Sequence, residues 1–197
     1  CESATTIDVG YYMNTNCVDM PQALSYHALI KLLLPEDWKQ SQTGLMGLER
    51  ELLRIQTNGE LPETAHPTSL GSALTHPDIT LDFAETQPEL VAPPFPNGQE
   101  LQDYLYYLHA FLAQRLPAPE KLWFMSMPPR LDNAKIHPAH FGTSNSGKLK
   151  TYYRNGLANR YGKKMQVISG VHFNFSWSEE FWQRLHQRVG DNRKLSL

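Results

Sequence analysis

The stretch "VHFNFSW", residues 171–177, alternates apolar and polar side chains without a break. Successive side chains of a strand point to opposite faces. Val171, Phe173, Phe175 and Trp177 therefore share one side, and His172, Asn174 and Ser176 the other. A helix would scatter both sets around its axis, so the spacing predicts a strand. The polar row suits a cavity wall better than a packed core, because polar groups taken from water need hydrogen-bond partners. A histidine in such a row is either structural or a ligand, and alternation alone leaves both readings open.

"GLERELLRI", residues 47–55, poses a related choice. On a strand Glu49 and Glu51 would project to one side, as adjacent carboxylates that suit a hard cation such as Mg²⁺. On a helix Leu45, Leu48, Leu52 and Ile55 would share a face and leave the charges in water. Downstream, Asn58-Gly59 favours a type I′ hairpin between short strands. "DFAETQPEL" adds Asp82, Glu85 and Glu89, which read as a solvated strand end or as the rim of a pocket around Phe83.

Helices are expected elsewhere. Tyr26, Leu29, Ile30 and Leu33 follow helical spacing from Pro21 until Pro35, and Leu101, Leu105, Leu108 and Leu112 mark the clearest helix. A third is expected over Lys148–Tyr161 and a short amphipathic one around Phe181–Leu185. Hairpin signals beside separate helices argue for an α+β fold rather than βαβ repeats.

"GTSNSGK", residues 142–148, fits the first seven positions of a phosphate-binding loop. Leu149 stands where the metal-binding Ser or Thr belongs, and no apolar strand precedes Gly142, so a P-loop fold is rejected. Lys148, Lys150 and Arg154 after the loop could still face an anion, or simply water. "HPAH", with His137 and His140, reads as a loop.

The 197 residues suffice for one medium domain, and the formal net charge of −2 gives no reason to expect nucleic acid or a membrane as partner. No apolar run approaches a membrane span. Cys1 and Cys17 support neither a disulfide framework nor a zinc site, which makes a cytoplasmic location the expectation.

"GLERELLRI", "HPTSLGSALTHPDITLDFAETQPEL", "SMPP", "FGTSNSGKLKTYYRNGLANRYG" and "MQVISGVHFNFS" occur here in an order and spacing that resemble the glutamate–cysteine ligases of the proteobacterial type, or γ-glutamylcysteine synthetases. The match runs from about Gly47 to Ser176, roughly two thirds of the chain. The resemblance implies a glutamine synthetase-like α+β fold, with an antiparallel sheet curved around the active site and helices outside. It implies ATP-dependent ligation of the glutamate γ-carboxylate to the cysteine amino group through γ-glutamyl phosphate, the first step of glutathione biosynthesis.

Carried over by position, Glu49, Glu51, Asp82, Glu89 and His172 resemble ligands of Mg²⁺ or Mn²⁺. Phe83, Tyr153 and Arg154 resemble substrate-binding positions, with Arg154 also the catalytic cation. Lys148 and Lys150 are expected to contact ATP, and Glu85 to stand behind the metal ligands. Family members continue beyond the end of this match, so residues 43–197 are expected to be the N-terminal part of a catalytic domain, preceded by a divergent segment 1–42. The rivals are a ligase of the same superfamily with another amine acceptor, and a truncated non-catalytic nucleotide-binding or interaction module.

Overall fold

The computed structural model describes residues 43–189. The helix expected between Pro21 and Pro35, and both cysteines, lie outside that range. Among the described residues six strands are present: β1 (Gly44–Glu51), β2 (Leu53–Ile55), β3 (Ile79–Leu81), β4 (Pro88–Val91), β5 (Lys121–Trp123) and β6 (Val171–Trp177). Four form an antiparallel sheet in the order β3-β4-β1-β6, and β2 pairs with β5 in a second, two-stranded sheet. The helices are α1 (Gly98–Gln114), α2 (Asn145–Tyr161), α3 (Lys163–Gln166) and α4 (Glu179–Val189).

Register gives the main sheet two unlike faces. Glu49 pairs with His172 and Glu51 with Glu89, while Glu89 also pairs with Thr80. Pairing partners share a face, so these residues form one polar side. Arg50 pairs with Leu90 and Leu90 with Ile79 on the opposite, largely apolar side.

Helix α1 covers that apolar side. Its N-cap Asn97 accepts a 2.8 Å hydrogen bond from the Glu100 N–H, satisfying one orphan donor of the first turn. Leu108 and Leu112 then pack with Leu52, Leu70, Ile79 and Leu90. Burial of each such leucine contributes roughly 1.5–3 kcal/mol.

The cover stops short of β6, the edge strand of the sheet among the described residues. Val171, Phe173, Phe175 and Trp177 alternate as expected, but their shared face is open, with Phe173 59% exposed. The end of the row gains a neighbour from α4, where Trp177 stacks on Phe181 with ring centroids 5.2 Å apart. The strand is legible in the sequence; the exposure of its apolar face is not.

The type I′ geometry expected at Asn58-Gly59 is overturned, although the chain does reverse there, with Gln56 N–H donating to the Glu60 carbonyl at 2.8 Å. The turn exists: Gly59 N–H donates to the Gln56 carbonyl at 2.9 Å, and Gly59 has φ 79°. A type I′ turn needs positive φ at both central residues, and no non-glycine residue described has one. Strand β2 leaves for β5 instead of returning along its own neighbour.

Helix α2 starts three residues before the expected Lys148. Ser144 caps it by accepting from Gly147 N–H at 3.1 Å. The glycine of "GTSNSGK" has a packing reason. A Cβ at Gly147 would lie 2.3 Å from the Phe141 carbonyl oxygen, closer than any side chain can come. Gly147→Ala is accordingly expected to cost about 1–3 kcal/mol, read as a lowered urea midpoint with the m-value unchanged.

Candidate active site

The polar face of the sheet gathers most of the expected metal ligands. Glu49 Oε2 lies 3.2 Å from His172 Nδ1, and Glu51 Oε1 lies 4.0 Å from His172 Nε2. Glu51 Oε2 accepts a 2.7 Å hydrogen bond from the Gly170 N–H. Glu89 faces Glu51 across β1 and β4, and Asp82 follows the end of β3, two residues beyond Thr80. The loop carrying Asp82 and Phe83 is fixed by the fully buried Gln87, whose Oε1 accepts from the Phe83 and Ala84 N–H groups, both at 3.3 Å.

Four carboxylates in one place are electrostatically unfavourable unless a proton or cation joins them. Burial, and then the charges of Asp82, Glu51 and Glu49, push the Glu89 carboxyl up to about 7. Burial first and Glu51 second also raise Asp82. A half-buried site of oxygen donors with one imidazole suits Mg²⁺ or Mn²⁺. No group of three or more His, Cys, Asp or Glu side chains among the described residues is already arranged to hold a metal ion.

Arg154 reaches the same region from α2. Its guanidinium donates to the carbonyls of Asp82, Leu81 (3.2 Å) and Lys150 (3.1 Å), clamping the helix to the end of β3. It also lies over the Phe141 ring, 4.5 Å from the centroid. Burial lowers its pKa, while the nearby Asp82 and Glu89 raise it. An arginine has five N–H donors, so some remain for an anion.

Other expected site residues fall differently. Tyr153 beside Arg154 is 64% exposed, whereas Phe83 is 2% exposed and packs with Leu53, Leu61, Ile136 and Val167. Lys148 and Lys150 stand on the exposed side of α2, Lys150 with its ammonium 5.0 Å from the Phe141 centroid.

Glu85 does not stand behind the metal ligands. Its two oxygens accept 2.8 Å hydrogen bonds from the His66 and His140 N–H groups. It lines a separate cavity of about 340 Å³ together with Thr64, Thr86, His137 and His140. The loop reading of His137 and His140 holds.

The model for glutamate–cysteine ligase matches residues 30–196. The chain belongs to the glutamate–cysteine ligase family.

It is 42% identical over 168 residues to a glutamate–cysteine ligase of Alcanivorax borkumensis, covering 84% of this chain and 32% of that protein. Against the glutamate–cysteine ligase of Sodalis glossinidius it is 51% identical over 138 residues, covering 70% and 26% respectively. Among solved structures it resembles a Francisella tularensis glutamate–cysteine ligase in complex with AMP, with TM-score 0.74 and 39% identity over 75% of this chain and 30% of that one. A bifunctional glutathione synthetase from Pasteurella multocida gives TM-score 0.70 and 33% identity over 80% of this chain and 20% of that one. The chain thus spans about a third or less of the length of these relatives. The expected α+β fold agrees with this likeness.

Proposed function

We propose that this chain supplies part of the active site of an ATP-dependent ligase that joins the γ-carboxylate of glutamate to the amino group of cysteine. The observation that carries the reading is the meeting of Glu49, Glu51, Asp82, Glu89 and His172 on one face of the sheet. Family membership and an AMP-bound structural relative support a nucleotide substrate.

A carboxylate is a poor acyl donor because oxide is a poor leaving group. In the proposed reaction a γ-carboxylate oxygen of glutamate attacks the γ-phosphorus of ATP, giving γ-glutamyl phosphate and ADP. The cysteine nitrogen then attacks the acyl carbon, forming the amide and releasing phosphate and a proton. When bound, Mg²⁺ or Mn²⁺ would neutralise charge on the phosphate oxygens. Glu49, Glu51, Asp82, Glu89 and His172 would hold it. The N–H donors of Arg154 not engaged by backbone carbonyls would orient a substrate carboxylate or phosphate beside Tyr153. Lys148 and Lys150 would attract the anionic nucleotide, and Phe83 would support the pocket from beneath.

The test measures Mg-ATP binding and γ-glutamylcysteine formation by the chain, and by any longer polypeptide containing it, with a panel of amine acceptors. Glu49→Gln and His172→Ala should each cut turnover at least tenfold at limiting Mg²⁺. Turnover only with a non-thiol amine, or equal activity of both variants throughout a Mg²⁺ titration, would sink the assignment.

A further inference from the structure

Asn174 lies in the polar row of β6, two residues beyond His172, and pairs in register with Gly47. Its side-chain nitrogen donates to Glu49 Oε1 at 3.1 Å, while His172 Nδ1 meets Oε2 of the same carboxylate at 3.2 Å. Only the amide NH₂ can donate to a carboxylate, so the orientation of Asn174 is fixed by its partner. Gly47 packs beside it: a Cβ built there would lie in ordinary contact with the Asn174 Cβ, at 3.7 Å.

We propose that Asn174 is a positioning residue of this site: with His172 it holds both oxygens of Glu49 and fixes the carboxylate's rotamer for cation binding. The inference rests on the metal reading of Glu49. Two cross-strand donors remove the rotational freedom that a glutamate on an open sheet face would otherwise keep, and each oxygen retains a further lone pair for a cation. Partners that orient a ligating group in this way typically govern metal affinity by about 10–100-fold. Histidine at 172 orients the carboxylate from one end and presents Nε2 toward Glu51; Asn174 closes the other end.

The experiment is Mn²⁺ binding to the purified full chain, followed by loss of the free-ion EPR signal, for the parent, Asn174→Leu, Asn174→Gln, Glu49→Ala and the double variant Glu49→Ala/Asn174→Leu. Asn174→Leu keeps the side chain's size without its donor, and should raise the Mn²⁺ Kd about tenfold or more. Asn174→Gln keeps the donor and should recover part of that loss. In the Glu49→Ala background, Asn174→Leu should change nothing further, which a general structural effect would not reproduce. Should Asn174→Leu fail to fold, Asn174→Gln with Gly47→Val, which crowds the amide without removing it, reads the same coupling. A parent-like Kd for Asn174→Leu beside a raised one for Glu49→Ala would overturn the positioning role and leave the metal site standing. A parent chain that binds no Mn²⁺ would overturn the metal reading itself.

Discussion

Replacing Arg54 with alanine is expected to remove about 3–5 kcal/mol of folding stability, and Glu120→Ala a similar amount. The two side chains are 1% and 3% exposed and meet with Nη1 3.2 Å from Oε2. Arg54 also donates to the carbonyls of Thr64 (2.6 Å), Ala65 (3.2 Å) and Glu85 (3.4 Å), while Glu120 accepts from the Thr64 hydroxyl. One ion pair therefore ties β2, the segment before β5 and two loops together. Burial lowers the Arg54 pKa against the opposing pull of Glu120 and Glu85, so the charge is held at a desolvation cost. Deleting either partner leaves the other as an uncompensated buried charge. The pair as a unit is a different matter: apolar residues of similar volume escape the desolvation penalty altogether, so Arg54→Met with Glu120→Leu should recover most of the loss. Urea unfolding followed by tryptophan fluorescence separates the cases. Single variants within 1 kcal/mol of the parent would show that the pair is solvated and structurally idle.

Arg54 also marks where the sequence stops being readable. The run Leu53-Arg54-Ile55 alternates, and alternation sends the arginine to water; the structure buries it because Glu120, far along the chain, waits on the other side. No local pattern announces a partner at that separation. The carboxylates of the main sheet were more legible. Glu49 and Glu51 needed only a strand to share a face, and the strand formed. Periodicity likewise located β6 and α1, because both depend on local spacing. It could not reveal that β6 would be the edge strand among the described residues, with Phe173 exposed, since sheet order is a long-range property. Glu85 and Glu89 looked alike in "DFAETQPEL", yet the turn between them sends Glu85 to the His66 and His140 amides and Glu89 to the acidic cluster. Asn174 was visible as part of a polar row, but its role depends on a cross-strand diagonal that only register supplies.

Glu89 should make the stability of the metal-free chain depend on pH in a direction opposite to that of a salt-bridged carboxylate. Its pKa in the fold is pushed up to about 7, by burial first and then by Asp82, Glu51 and Glu49, with His172 opposing. A raised carboxyl favours the protonated folded state, so its contribution is full below the ordinary carboxylate range near 4.5 and is lost as pH rises through 7. The loss at pH 8 is at most about 3 kcal/mol. His66 and His109 act in the other sense: burial lowers their pKa values, and what they contribute is lost as pH falls. Comparison with Glu89→Gln isolates the one group. In EDTA the variant should be more stable than the parent at pH 8, by up to that amount, and the difference should vanish by about pH 4.5. Millimolar Mg²⁺ should close the gap from the other side, because a cation supplies the charge that the lost proton had cancelled. Cation affinity in the parent should therefore fall about tenfold per pH unit below 7 as the metal competes with the Glu89 proton, and that slope should flatten in Glu89→Gln. Thermal melts in EDTA and Mg²⁺ from pH 4.5 to 8 test both halves. If parent and variant melt together across that range, Glu89 is an ordinary solvated carboxylate and the acidic face has no need of a cation.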